Sequence, residues 1–216
     1  MRSTPHGCRA GVLGCDRRIS PGLGARCTHE PRRASRRATG GSPFAAPSVA
    51  DPSTLLVYVM DIYDPASWGY LPSVSAVLSA ACPLVDVEVV QSGRFAAGSP
   101  AACLIALLAA ADLPVSTVLG AVQHQYFVGG QPLDDPGVLG SIAHDLGLDG
   151  PAIEIFARSP RARELASEDF ELARDLALGG GPLLLASRGE QVFEFDGPGA
   201  SGDRLVDQFR TVLTRP

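Results

Sequence analysis

The chain has no lysine, a single tryptophan and only five cysteines among its 216 residues. No cysteine lies between Cys27 and Cys82, so that interval cannot contain a Cys-x-x-Cys dithiol. Long hydrophobic runs are also missing. The longest weakly polar stretch, residues 101–111, is far shorter than the roughly 20 residues of a membrane-spanning helix and indicates a core helix. We therefore expect no membrane partner.

Charge is divided unevenly along the chain. Residues 1–50 hold nine arginines and two acids, a net charge of +7, whereas the remainder holds nine arginines and twenty-one acids, a net charge of −12. The first 53 residues show neither helical nor strand periodicity, which predicts a disordered Arg-rich leader. They lack the apolar core of a secretory signal and the interleaved aromatics of a nucleic-acid-binding arm. We expect a cytoplasmic protein without a nucleic-acid partner, an organellar transit peptide being the alternative.

Cysteine and histidine positions do not indicate a metal site. The leader holds Cys8, Cys15, Cys27, His6 and His29. Their spacing differs from the paired ligands of structural zinc sites, so no metal is predicted. Cys82 ends a predicted helix, and Cys103 lies within an apolar one. We interpret both as small buried side chains, not as nucleophiles.

A strand, a helix and a second strand are predicted after the leader. Residues 55–63 are apolar on both faces, as in a central strand. Apolar residues then recur at helical spacing from Trp68 or Tyr70 to residue 81. Residues 84–91 alternate valine with acidic residues, which is typical of a strand. Such a βαβ unit predicts two parallel strands.

A helical block separates this unit from two further strands. Its four predicted helices lie at residues 100–111, 115–127, 135–146 and 159–178. Strands are predicted at residues 182–186 and 191–195, followed by a terminal helix with apolar residues up to Leu213. The two ends of the folded region should therefore complete one sheet around a helical insertion.

Three short motifs resemble those of a known family. Residues 64–70 read Asp-Pro-Ala-Ser-Trp-Gly-Tyr, residues 92–95 read Ser-Gly-Arg-Phe, and residues 180–183 read Gly-Gly-Pro-Leu. In order and spacing they resemble the Asp-Pro-x-Cys-x-Trp-Cys, Gly-Gly-x-Phe and Gly-x-Pro-Thr segments of the DsbA-like branch of the thioredoxin superfamily. Residues 125–149 also resemble the helical insertion of bacterial members.

The resemblance covers about residues 55–213 and implies an α/β fold, a thioredoxin-like fold with an inserted α-helical domain. It divides the chain into four parts: the leader (1–53), the first thioredoxin-like part (54–95), the helical insertion (96–178) and the second thioredoxin-like part (179–216).

The cysteines of the family are replaced here. Aligned without a gap, Ser67 and Tyr70 occupy their positions; aligned on the tryptophan, Ala66 and Gly69 do. Either register removes the dithiol, in which one thiolate attacks and the second resolves the mixed disulfide. The threonine after the proline is Leu183. The resemblance thus implies oxidoreductase ancestry without the disulfide exchange.

A second resemblance is to the kappa-type glutathione transferases and the 2-hydroxychromene-2-carboxylate isomerases, which carry Ser-Pro-x-Ser-Trp or a close variant at this turn. It implies glutathione as a co-substrate, with Ser67 holding its thiolate. The serine before the proline, which the family associates with glutathione, is Asp64 here. A carboxylate beside the sulfur would raise the pKa of a thiol and oppose thiolate formation.

The residues of the turn allow structural and functional interpretations. Ser67 near a helix start is either an N-cap or a donor to a ligand thiolate, since helix N-termini favour negative charge. A serine nucleophile would need a base that the sequence does not provide nearby. Trp68 either lines a groove or packs against the insertion. Asp64 is the candidate for a perturbed carboxylate.

The segment before the third strand completes the predicted site. The resemblance implies a cis bond before Pro182 and pairing of the Gly181 backbone with an extended peptide or glutathione; alternatively, the glycines merely end a helix and start a strand. The leading hypothesis is a redox-inactive family member that binds a peptide or small thiol between Ser67-Trp68 and Gly181-Pro182, without a resident cofactor. The oligomeric state stays open.

Overall fold

The structure, a computed structural model, describes residues 54–82, 84–93, 98–135, 137–176 and 180–214. The leader predicted at residues 1–53 lies outside the described residues. No helix within the described ranges combines the length and the apolar character needed to cross a membrane.

Four strands and seven helices form within these ranges. They are β1 (Thr54–Met60), α1 (Pro65–Ala81), β2 (Asp86–Gln91), α2 (Gly98–Ala110), α3 (Val115–Phe127), α4 (Val138–Asp145), α5 (Gly150–Ala157), α6 (Pro160–Leu176), β3 (Leu183–Arg188), β4 (Gln191–Glu194) and α7 (Gly202–Thr214). The predicted order is confirmed, but α5 was not predicted. Its signal was Asp149, whose side chain accepts from the N–H of Ala152 at 3.1 Å and caps the helix.

The four strands form one sheet in the order β2-β1-β3-β4. β1 runs parallel to β2, as the βαβ prediction required, and antiparallel to β3, which forms a hairpin with β4. Val59 pairs with Leu183, so the C-terminal end of β1 lies beside the N-terminal end of β3. The β1–α1 turn and the segment before β3 therefore meet at one edge of the sheet.

Helix α1 begins earlier than its apolar periodicity predicted, at Pro65, and it passes through the exposed Pro72. Proline inside a helix removes one backbone hydrogen bond and is normally disruptive. Here the buried side chains of Leu71, Val74 and Val77 hold the helix against the main core. Tertiary packing thus outweighs the local penalty.

Both faces of the sheet are covered. The main core joins one face to α1, α3 and α7, and a smaller cluster on the other face joins Val59 and Val90 to Ala173 of α6. The alternating pattern of β2 predicted a polar face. Instead Glu88 is buried, at 7% exposure, because α6 packs across that face.

A buried carboxyl group connects α6 to the edge strand β2. Asp169 Oδ2 accepts from the backbone N–H of Gln91 at 3.2 Å and from its Nε2 at 3.4 Å. Burial raises the pKa of Asp169 to about 7, with small additions from Glu88 and Glu168, against the lowering effect of the Gln91 hydrogen bonds. Gln91 Oε1 has no hydrogen-bond partner within the described ranges.

This raised pKa makes stability depend on pH. Between the ordinary pKa of an aspartic acid and about 7 the folded state binds more protons, so stability falls as pH rises through that window. Asp169→Asn removes the ionisation, keeps an acceptor for the Gln91 N–H and adds a donor for Gln91 Oε1. We expect it to raise the free energy of unfolding at about pH 8 by about 2–4 kcal/mol, measured by urea denaturation.

The neighbouring variant Glu168→Gln is the control, since Glu168 is only half-buried on the same helix. We expect it to leave the pH dependence of unfolding largely in place. An Asp169→Asn protein with the same pH profile as the unmodified chain would contradict the role of this carboxyl group.

Candidate functional site

The β1–α1 turn is organised by the carboxylate of Asp64. Asp64 Oδ1 accepts from the N–H of Ala66 and Oδ2 from the N–H of Ser67, both at 3.0 Å. Pro65 occupies the first helical position, where a missing N–H costs nothing. Asp64 is therefore the N-cap of α1, and the interpretation of Ser67 as the N-cap is wrong. Capping by Asp64 also explains why the helix begins before Trp68.

Ser67 is completely buried. Its Oγ donates to Asp64 Oδ2 at 3.1 Å and accepts from the backbone N–H of Asp61 at 3.2 Å. Its carbonyl oxygen accepts from the Tyr58 hydroxyl at 3.4 Å. Both hydrogen bonds of the Ser67 hydroxyl are therefore made within the turn, and its hydrogen points to the Asp64 carboxylate and not to a ligand.

Asp61 joins this turn to the end of β2 and to the insertion. Its Oδ1 accepts from the N–H of Tyr63 at 2.8 Å, and its carbonyl oxygen accepts from Gln123 Nε2 of α3 at 3.4 Å. A Cβ added to Gly93, from the second motif, would lie 3.2 Å from Asp61 Oδ2, and its φ of +137° favours glycine. Arg94 and Phe95 of that motif lie outside the described residues.

Sequence reasoning missed Gln123, although it stands in the apolar stripe of α3. It is fully buried, and its Oε1 has no hydrogen-bond partner among the residues that the structure describes. A glutamine on an otherwise apolar helical face was the available signal, because buried amides normally make specific hydrogen bonds.

Trp68 lies against the insertion. Its ring stacks on Phe127, with centroids 5.7 Å apart and planes 17° apart, and contacts His124 edge-on at 6.5 Å. Edge contacts at 4.9 Å continue the group from Phe127 to Tyr126 and from Tyr126 to Tyr63. Of the two interpretations of Trp68, the structure places it in contact with the insertion, while it remains half-buried at the turn.

The segment before β3 differs from the prediction in one respect. The structure contains no cis peptide bond among the described residues, so the prediction of a cis bond before Pro182 is wrong. Gly180 and Gly181 adopt φ values of +70° and +89°, which lets the chain turn into β3 with Pro182 in the ordinary trans form.

The predicted site residues are nevertheless brought to one edge of the sheet. Continuing the β1–β3 register by one residue places Pro182 beside Met60, just before the turn. Asp64 and Trp68 are half-buried, and Gly181 is exposed. Ser67 is the exception, because its hydroxyl faces the capping carboxylate inside the turn.

Three tyrosine hydroxyls near the turn are held in the protonated form. Burial raises the pKa of Tyr58 strongly, with smaller contributions from Tyr70 and Asp64. Burial also raises the pKa of Tyr63 and of Tyr70 to about 12, with Asp134 and Asp196 as the respective second causes. The described residues contain no group of three or more histidine, cysteine, aspartate or glutamate side chains placed to hold a metal ion.

Exposure distinguishes the two alignment registers of the missing dithiol. Ala66 and Gly69 are exposed on the first turns of α1, whereas Ser67 and Tyr70 are buried. The Tyr70 hydroxyl also donates to the carbonyl oxygen of Asp196. The attacking cysteine of a dithiol must be reached by its substrate, and position 66 is exposed whereas position 67 is buried. The structure therefore favours the register aligned on the tryptophan.

The cap can be tested by Asp64→Ala. This change leaves two N–H groups and the Ser67 hydroxyl without their acceptor, so we expect a loss of about 1–2 kcal/mol in the free energy of unfolding, measured by urea denaturation. Asp64→Asn is the matched control, since it keeps an acceptor oxygen and should lose less. Equal stability of the alanine variant and the unmodified chain would contradict the cap.

The register can be tested by restoring a dithiol. Positions three apart on a helix lie within disulfide distance, and a Cβ at Gly69 meets nothing within 4 Å. We expect Ala66→Cys/Gly69→Cys to gain slow insulin reduction, limited by the nearby Asp64 carboxylate, which raises the thiol pKa. Ser67→Cys/Tyr70→Cys should stay inactive because its sulfurs are buried. Activity in the second pair alone would overturn the register.

The chain resembles a known domain family in sequence. The sequence model of the DSBA-like thioredoxin domain matches residues 85–210. No curated protein sequence matches the chain significantly.

Three solved structures show the same fold. A candidate protein disulfide isomerase from Nitrosomonas europaea has a TM-score of 0.62 at 15% identity, covering 74% of this chain and 98% of that one. The cytosolic disulfide reductase DsbM from Pseudomonas aeruginosa has a TM-score of 0.55 at 20% identity, with coverages of 74% and 96%. DsbL from Salmonella enterica serovar Typhimurium has a TM-score of 0.53 at 16% identity, with coverages of 82% and 100%.

The family model matches more than half of the chain, and the solved structures share its overall fold. The protein belongs to the DSBA-like thioredoxin domain family.

Proposed function

We propose that this protein is a redox-inactive member of the family that binds an extended peptide or a small thiol between the β1–α1 turn and residues 180–182. The observation that carries the proposal is the start of α1, where the exposed positions 66 and 69 hold alanine and glycine and no cysteine. A family member with a normal dithiol would need two thiols at such positions.

Cys103 of α2, which is the free cysteine of the described residues, does not substitute for the two missing thiols. Cys103 is 0% exposed, and burial, with a small contribution from Glu154, raises its pKa to about 12. The thiolate is the nucleophile in disulfide exchange, so a buried neutral thiol cannot attack a substrate. Ligand binding without exchange is the function that this arrangement supports best.

Binding is proposed at the backbone of the glycine pair. Gly180 and Gly181 are exposed, and a Cβ added to either would meet nothing within 4 Å. A ligand can therefore approach this backbone closely. The segment lies beside the end of β1 through the β1–β3 pairing, and the half-buried Trp68 lies in the helix that follows this end of β1. We therefore place an extended ligand between the glycine pair and the turn.

The alternative is a glutathione-dependent transferase or isomerase. Its support is the DsbM structure solved with glutathione, which is 19% identical with a TM-score of 0.52 and so shares the fold alone. The Ser67 hydroxyl donates to Asp64, which weighs against a role in holding a thiolate. Because DsbM is described as cytosolic, we also propose the cytoplasm as the compartment of this protein.

Two assays on the full chain test this proposal. We expect no acceleration of insulin reduction, together with measurable calorimetric binding of a blocked extended peptide or of glutathione. Gly181→Val should weaken that binding by about tenfold, since its side chain occupies the approach to the backbone and its φ is unfavourable for valine. Gly197→Ala, at an open glycine of ordinary φ, is the matched control.

Insulin reduction at the rate of a dithiol enzyme, or no binding of either ligand class, would contradict the proposal. Retention on a glutathione resin with thiol transfer abolished by Ser67→Ala would establish the alternative instead. Circular dichroism of each variant confirms that it is folded.

A further inference from the structure

Four aromatic rings contact one another where α3 packs against the β1–α1 turn, which forms one side of the proposed groove. This aromatic surface consists of Tyr63, Trp68, Tyr126 and Phe127, joined by contacts of 4.9 to 5.7 Å between ring centroids. The two tyrosines pack against the main core. All four side chains are half-buried, and the adjacent Val128 is 62% exposed. The stack of Trp68 on Phe127 uses one face of each ring, so part of each ring remains available.

The surroundings of the aromatic surface are acidic. Asp134 and Asp135 are exposed in the loop after α3. Asp134 is close enough to Tyr63 for its negative charge to raise the pKa of that tyrosine, as the second cause after burial. Gln123 Oε1, without a donor in the described part of the chain, adds the negative end of a dipole near the turn.

The arginine side chains of the described residues lie elsewhere, and the basic residue beside the aromatic surface is His124, whose ring contacts Trp68 edge-on. The arginines are Arg158, Arg161, Arg163, Arg174, Arg188, Arg204 and Arg210. These positions fall on or next to α5, α6, β3 and α7, and none falls on the β1–α1 turn or on the α3–α4 segment. An aromatic surface beside carboxylates attracts a cation and disfavours an anion.

We propose that the aromatic surface selects the ligand, and that among extended peptides the groove prefers one with an arginine side chain stacked on these rings and paired with Asp134. The proposal rests on the proposed function and specifies the chemistry of its ligand. Arginine fits better than lysine because its planar guanidinium can stack on an aromatic face while its N–H groups bind a carboxylate.

The test uses three blocked heptapeptides of sequence Thr-Val-Ser-Xaa-Ser-Val-Thr, in which Xaa is arginine, citrulline or glutamate. Citrulline keeps the planar shape and the length of arginine but has no charge, and a carbonyl oxygen replaces one of its terminal N–H₂ groups. Trp68 is the only tryptophan, so its fluorescence reports directly on the aromatic surface of the full chain. We expect the arginine peptide to bind about tenfold more tightly than the citrulline peptide, and the glutamate peptide to bind most weakly.

Asp134→Asn and Asp135→Asn form a matched pair of exposed neighbours. We expect Asp134→Asn to weaken binding of the arginine peptide about threefold while leaving citrulline binding unchanged. Asp135→Asn should change neither. Raising the salt concentration should reduce the preference for arginine.

The outcomes separate this inference from the proposed function. Equal binding of the arginine and citrulline peptides would overturn the preference for a cation and leave a peptide-binding groove intact. Equal effects of the two asparagine variants on the arginine peptide would overturn the assignment of Asp134. Failure of all three peptides and of glutathione to bind would overturn the proposed function, and the selectivity with it.

Discussion

The rest of the site depends on the hydrogen bonds that Asp64 makes at the start of α1. A helix N-terminus presents N–H groups without intrahelical partners and a partial positive charge, and these can stabilise a thiolate. In this chain a carboxylate accepts from the N–H groups of Ala66 and Ser67 and from the Ser67 hydroxyl. The Asp64 carboxylate and a ligand thiolate would compete for the same N–H groups and the same partial positive charge. With Asp64 as the cap, the turn is stable without a thiol, and thiolate chemistry there is disfavoured.

Helix α1, which follows the capped turn, is held in place by hydrogen bonds to residues that are distant in sequence. The Tyr70 hydroxyl donates to the carbonyl oxygen of Asp196, and Ser73 Oγ donates to that of Ala200 at 2.7 Å. Helices α1 and α7 approach so closely that a Cβ on Gly202 would lie 2.9 Å from the Cβ of Ala76. The first and last thirds of the described chain thereby fix one another.

The spacing of apolar residues was sufficient to predict the order of strands and helices, because this spacing reflects which side chains are buried. The α1 boundary required knowledge of side-chain hydrogen bonds, since Ser67 and Asp64 are both good capping residues and only the three-dimensional contacts distinguish them. Glu88 could not be predicted to be buried, because its burial depends on α6, which is about 80 residues away in sequence. Pro182 was expected to be cis by analogy with the family; two glycines of positive φ provide another path into β3.

The same reasoning explains which residues of the candidate site could be predicted from the sequence. Asp64, Trp68 and Gly181 lie in motifs that resemble those of the family, and the structure places them at one edge of the sheet. The contributions of Phe127 and Gln123 come from α3, whose position against the turn is a consequence of packing. A hydrophobic pattern identifies a buried face but does not say which other element covers it.

Amide hydrogen exchange of the full chain, with and without a bound extended peptide, tests the central claim most directly. The account predicts slow exchange at the N–H groups of Asp61, Ala66 and Ser67 in the free protein, because internal acceptors already hold them. It predicts fast exchange at Gly180 and Gly181 that slows when the peptide binds. Rapid exchange throughout the turn, or peptide protection at the turn with none at the glycines, would contradict a preformed cap beside an open backbone site.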